Sequence, residues 1–130
     1  MAFFAIKQQS QTGLGIDQTI RFENVRLNLG HSFHPQHGLF YAPRAGVYLF
    51  AASLLTNNGE ELHAAITVNG QNVAILYGHG DSGRHDQGSQ TVLLHLDVDD
   101  EVYIRNIDAV NDFVYGNGYS TFSGILLYDN

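Results

Sequence analysis

The stretch Val47-Tyr-Leu-Phe-Ala-Ala-Ser-Leu-Leu55 is apolar on both parities. Tyr48, Phe50, Ala52 and Leu54 fall on one side of an extended chain, and Val47, Leu49, Ala51 and Leu55 on the other. A strand with one wet face alternates polar and apolar residues, so this one asks for cover on both faces. It leaves a Pro43/Gly46 turn that a short aromatic strand, Gly38-Leu-Phe-Tyr-Ala42, runs into. With 130 residues the chain is long enough for one domain with a core. A second copy of the protein is a candidate for the outer cover.

Composition narrows the function classes. Charged residues make up 15% of the chain, low for a soluble monomer, which points to surface buried by association. The formal net charge is −7 with only six Lys and Arg, so nucleic acid and anionic membrane surfaces are poor partners. There is no cysteine, and the core holds without disulfides. No stretch has the length and apolarity of a membrane span, so membrane insertion is not expected. No Asn-x-Ser/Thr sequon is present.

Fourteen glycines separate short runs rich in Val, Ile, Phe, Tyr and Leu, and no amphipathic helix is visible. This is the pattern of an all-β sandwich or barrel. Strands are predicted at 2–7, 21–25, 27–33, 39–42, 46–56, 62–68, 71–77, 89–98, 101–106 and 119–128, with an extra one near 113–115. Asn69-Gly70 between two apolar runs predicts a type I′ hairpin, because both residues tolerate positive φ. Two long polar loops, 78–88 and 107–118, are where binding residues are expected. Neither a repeat nor a linker interrupts the chain, which reads as one domain over 1–130.

The ordered residues resemble a known family. They are Ala2-Phe3-x-Ala5, Ile20-x-Phe22-x-x-Val25, Asn28-x-Gly30-x-x-Phe33 and Gly38-x-Phe40-x-Ala42-Pro43-x-x-Gly46-x-Tyr48-x-Phe50. Val68-Asn69-Gly70, Leu94-x-Leu96-x-x-x-Asp100-x-Val102 and Tyr119-Ser-x-Phe122-Ser-Gly124-x-Leu126-Leu127 follow. Together they resemble the globular head domain of complement C1q, over essentially the whole chain. The resemblance implies a ten-stranded antiparallel jelly roll of two five-stranded sheets, related to the tumour necrosis factor fold and assembled as a homotrimer. In such a trimer, strands near the threefold axis bury one face in their own sandwich and the other against neighbours. The chain departs from the family in having Asp99-Asp100 where Gly-Asp is usual, a change that Asp tolerates in the left-handed region. It also carries no Gly-X-Y collagen stretch, so the expectation is a cut-away stalk or a stalkless secreted member.

Several residue sets invite chemistry. Gly78-His-Gly80-Asp-Ser-Gly83 matches G-x-G-x-x-G literally, but a strand and not a helix is predicted after it, so it reads as a flexible loop rather than a dinucleotide site. That loop offers His79, Asp81, Arg84, His85 and Asp86 as ligand-binding candidates. The resemblance implies a Ca²⁺ site contributed by a loop in about this place, with Asp81 and Asp86 the closest acidic candidates. A plain solvated polar loop is the preferred alternative.

His31, His34 and His37 fall in one segment but do not project automatically to one point. They read as a pH-sensitive surface ahead of a metal site. Asp97, Asp99, Asp100 and Glu101 read as an exposed acidic turn that keeps edges apart. Phe113, Tyr115 and Tyr119 with Asn111, Asp112 and Asn117 mix rings with amides and a carboxylate, the pattern that recognises sugars by stacking and hydroxyl hydrogen bonds, and of these Asn111, Asp112 and Tyr115 join the candidate binding set. Tyr119, as part of the closing motif, is expected in the core.

No Gly-x-Ser-x-Gly elbow, His-Glu-x-x-His or cysteine nucleophile is present, so no enzyme is expected. The leading functional expectation is a secreted trimeric recognition protein, binding glycans or microbial surface molecules in a lectin-like way. The alternative is a trimeric signalling or scaffold ligand for a protein receptor.

Overall fold

A computed structural model of the chain describes residues 1–108 and 112–129. Its strands are β1 (Ala2–Lys7), β2 (Gln11–Leu14), β3 (Asn24–Leu29), β4 (Phe33–His34), β5 (Leu39–Tyr41) and β6 (Gly46–Leu55). They continue as β7 (Glu61–Val68), β8 (Gln71–His79), β9 (Gln87–Leu96), β10 (Glu101–Asn106), β11 (Asp112–Val114) and β12 (Ser120–Asp129). One five-stranded sheet runs β3-β1-β12-β6-β9, a second runs β4-β5-β10-β7-β8, and β11 pairs with β2 as a small ribbon. Every pairing is antiparallel. The two five-stranded sheets of the expected jelly roll are present.

Two of the crossings between the sheets are short turns. The Pro43/Gly46 turn takes the chain from β5 in the second sheet to β6 in the first, and residues 97–100 take it back from β9 to β10. At the second turn Asp99 has φ 70°, the left-handed geometry that glycine would otherwise supply. The Asp100 carboxylate accepts the Asp97 N–H at 2.8 Å and the Asn69 side-chain amide at 2.9 Å. The acidic turn is therefore a structural clamp as well as a charged edge. Asn69 and Gly70 have φ 48° and 86°, the positive pair of a type I′ turn.

The inner faces meet in aromatic layers. Phe3 of β1 stacks on Phe33 of β4 at 4.6 Å, and Phe122 of β12 meets Phe3 edge-on at 5.0 Å. Phe40 of β5 meets Phe50 of β6 edge-on at 5.4 Å. Each such pair adds about 0.5–1.5 kcal/mol beyond the area it buries. Gly124 belongs to the closing motif because a Cβ there would sit 2.7 Å from the rings of both Phe3 and Phe50. Gly46 is required because a Cβ would lie 2.1 Å from the Tyr128 carbonyl.

Along β6, burial alternates strictly: Tyr48, Phe50, Ala52 and Leu54 are buried, while Val47, Leu49, Ala51 and Leu55 are half-buried. The outward parity continues across the whole sheet. Register aligns Leu93, Leu49, Ile125, Ala2 and Leu29 in one row through β9, β6, β12, β1 and β3. Leu93, Ile125 and Leu29 are 63%, 45% and 56% exposed. A row this apolar facing water in the single chain is the second face that the sequence wanted covered.

Three expectations shift. The predicted strands at 21–25 and 27–33 become β3 in the first sheet and β4 in the second, with Gly30 and His31 at positive φ between them. Ile20 and Phe22 are fully buried outside any strand; Ile20 N–H donates to Ile104 O at 2.8 Å, so a buried extended segment need not be in a ladder. β2, Gln-Thr-Gly-Leu, was not foreseen because it has no apolar alternation.

Candidate recognition surface

Connections from four places gather at one end of the sandwich. Asn117 N–H donates to Gln8 O at 2.7 Å, Gly59 N–H to Arg84 O at 3.1 Å, and Tyr115 N–H to Leu55 O at 2.9 Å. Ser120 Oγ accepts the Leu55 N–H at 2.9 Å and donates to Tyr115 O at 2.7 Å, which fixes the segment before β12 against β6.

The 78–88 loop, expected to be flexible, is braced. Asp86 accepts the N–H of His79 at 2.9 Å and of Gln87 at 3.0 Å through its two carboxylate oxygens. Its own N–H donates to Thr56 Oγ1 at 2.9 Å, and its carbonyl accepts the Thr56 N–H at 2.8 Å. A strand, β9, follows the glycines, so no helix terminus meets a phosphate there. Arg84 and Asp81 are exposed and close a turn, with Arg84 N–H donating to Asp81 O at 2.8 Å. His79 ends β8 opposite Glu61.

His85 and Tyr115 come together. His85 Nδ1 donates to Thr56 O at 2.7 Å, which leaves Nε2 as the acceptor in the neutral ring. The ring meets Tyr115 edge-on at 5.0 Å, and Tyr115 meets Tyr119 edge-on at 5.7 Å. Phe113 lies 6.1 Å from Tyr115. Tyr119 is not in the core: it is 53% exposed, because β12 begins one residue later and Ser120 takes the inward position. Gln87 Nε2 donates to Tyr119 O at 2.8 Å, adding an amide beside the rings. Asp112 opens β11 opposite Leu14, half-buried. Asn111 lies outside the described residues.

Among the described residues, Asp81 and Asp86 are not gathered with a third acid or imidazole as a metal-holding group. Among the described residues, the group of His and acids placed to hold a metal ion is Glu61, His63 and Asp108. Sequence alone does not reveal it, since Asp108 reaches β7 from the segment after β10. His34 instead packs against the Tyr41 ring at 5.3 Å, and His31 and His37 are exposed in turns.

Lys7 was also missed. Its ammonium is buried, donating to Arg21 O at 2.6 Å and Gln11 Oε1 at 2.8 Å, with Glu23 Oε1 at 3.4 Å. Burial lowers its pKa to about 8, against the opposing pull of Glu23.

A family model described as C1q domain matches residues 2–127. The chain belongs to the C1q domain family. Trimeric assembly is typical of that family. Complement C1q tumor necrosis factor-related protein 3 of Mus musculus is 34% identical over 113 residues, 85% of this chain and 45% of that protein. Heavy metal-binding protein HIP of Mytilus edulis is 30% identical over 98% of this chain and 61% of its own length. The chain thus spans about half the length of these curated relatives. Among solved structures, the globular domain of zebrafish complement 1qA protein superposes with a TM-score of 0.82 at 18% identity, covering 99% of this chain and 98% of that one. The Eiger TNF of S. frugiperda reaches 0.81 at 13% identity, covering 100% and 94%. At these identities the match speaks for the jelly-roll fold.

Proposed function

We propose that this protein is a secreted, trimeric recognition module that binds glycans or other microbial surface molecules in a lectin-like way. The observation that carries the reading is the ring cluster of His85, Tyr115 and Tyr119 with Gln87 beside it, at the loop end of the sandwich. Aromatic faces stack on the apolar C–H faces of sugars, while imidazole, amide and phenol groups bond the hydroxyls. The apolar row through Leu49 supports assembly, since a trimer covers it. Three copies present three weak sites to one surface, and avidity follows from effective concentration without new contacts. Arg84 and Asp81 are exposed on the same loop as His85, and Asp81 and Asp86 remain the acidic candidates for Ca²⁺ in this reading. No step of the reading is enzymatic.

A glycan array and a bacterial binding assay, run with Ca²⁺ and with chelator, test it. Binding that falls in a His85→Ala, Tyr115→Ala double variant is the expected result. No binding of any glycan or cell in either condition overturns the reading. Saturable capture of one membrane protein, indifferent to added sugars, replaces it with the receptor-ligand alternative.

A further inference from the structure

The outer face of the second sheet carries a cluster that glycan recognition does not use. Glu61 and His63 stand two residues apart on β7, so their side chains leave the same face. The chain beyond β10 keeps alongside: Ile107 N–H donates to His63 O at 3.2 Å, which brings Asp108 next to His63. His63 Nδ1 lies 3.0 Å from Asp108 Oδ2 and 3.9 Å from Glu61 Oε1. One ligand atom from each residue lies within 4.8 Å of the other two.

Two carboxylates thus converge on a single imidazole nitrogen. Among the described residues, neither acid has a Lys or Arg within ion-pair distance. A tetrahedral ion with bonds of about 2.1 Å spaces its ligands about 3.4 Å apart, and the two separations from the imidazole nitrogen straddle that value. Small side-chain rotations close the difference, because Glu61 and Asp108 are exposed and His63 is half-buried.

The surroundings hold the ligands in place. Tyr77 is the register partner of His63, and its hydroxyl donates to Glu61 Oε2 at 2.9 Å. That contact engages one oxygen and leaves Oε1 facing the imidazole, the arrangement by which outer partners orient metal ligands. The Tyr77 ring also rests 4.5 Å from the His63 ring. His79 is the register partner of Glu61 on β8.

We infer that Glu61, His63 and Asp108 form a site for a divalent transition-metal ion of the Zn²⁺ class, distinct from the ring cluster and from Asp81 and Asp86. An imidazole ligand selects Zn²⁺, Cu²⁺ or Ni²⁺ over Ca²⁺, which takes oxygen ligands in larger number. The site opens to solvent, so the ion enters directly and exchanges readily. Its occupancy neutralises the two acids and ties β7 to the segment after β10.

The test is calorimetric titration of the full chain with Zn²⁺, in buffer that already holds Ca²⁺. One saturable ion per chain is expected for the wild type. His63→Ala and Asp108→Asn should each weaken binding roughly tenfold or more, the scale on which even outer-partner changes act. Glu61→Gln, which keeps the shape and the Tyr77 contact, should weaken it in the same direction. His37→Ala, an exposed histidine elsewhere, should leave it unchanged. Circular dichroism of each variant shows that the fold is retained. Absence of saturable Zn²⁺ binding by the wild type overturns the proposal. So does undiminished binding by a folded His63→Ala or Glu61→Gln variant.

Discussion

The two sheets obey the same register rules but turn different surfaces outward. The first sheet presents Leu93, Leu49, Ile125, Ala2 and Leu29 in a single row, with Phe4 and Leu27 in the next. Towards the loop end that face turns polar, and Ser53 and Ser89 share a hydrogen bond at 2.8 Å. The second sheet presents Glu61, His63 and Tyr77 in mutual contact, and farther along Arg105, whose Nε donates to Asn72 Oδ1 at 3.0 Å. One face is a continuous apolar row suited to another protein surface, and the other mixes the apolar Val73 and Ile75 with charged and polar groups. The inner faces, which both pack against the same phenylalanines, do not differ in this way. The contrast thus lies on the outward parity of strands whose inward parity is committed to the core.

The sharpest way to break that contrast is a matched pair of charges. Leu49→Glu should abolish the assembly: light scattering at micromolar concentration falls from three times to one times the 14.4 kDa of one chain. Burying an unpaired carboxylate at a subunit contact costs several kcal/mol. Ile75→Glu, on the outward face of β8 and 42% exposed, should leave the mass unchanged. If the wild type already scatters as a single chain, or if both variants dissociate equally, the difference between the faces is not one of assembly.

A smaller effect comes from the core between them. The folded Lys7 ammonium has its pKa lowered from 10.5 to about 8. From about pH 8 to 10.5 the unfolded chain therefore holds a proton that the folded chain has released, so this group's contribution to stability rises with pH across that window. In Lys7→Met the rise is absent. Denaturant midpoints measured below pH 8 and near pH 10 should show the wild type gaining on the variant. Tyr48, whose pKa burial raises, is present in both proteins and cancels in the comparison. The smallest effect is expected at Tyr77→Phe, which removes a solvent-exposed hydrogen bond. Its thermal unfolding should match the wild type, while Zn²⁺ affinity falls; a loss of stability would make Tyr77 a structural residue instead.

How legible all this was depended on whether a residue's partner lies nearby in sequence. The Asn69-Gly70 turn was readable because two adjacent residues impose positive φ without help. The doubly apolar β6 was readable because parity is a local property of an extended chain. The residues from 19 to 34 were not. Alternation there is present, but a chain that changes sheet at Gly30 and His31 looks the same in sequence as one continuous strand. Tyr119 illustrates a shift of one position: family position suggested burial, and a strand starting at Ser120 puts the ring outside.

The candidate sites divide on the same line. His85 and Tyr115 were named from polar loops, yet nothing in a loop's composition says that the two rings touch. Glu61 and His63 sit on one strand, but Asp108 reaches them only through the β10–β7 pairing that Ile107 extends.

The sequence by itself determined the strand periods, the hairpin turn, the family motifs and the fact that β6 needs two covers, because each rests on local conformational preference or on alternation. Only the tertiary structure decided which parity faces outward, which loops share an end and which acids meet which imidazole. Those outcomes depend on register between strands far apart in the chain, and a register slip of one residue would reverse every one of them.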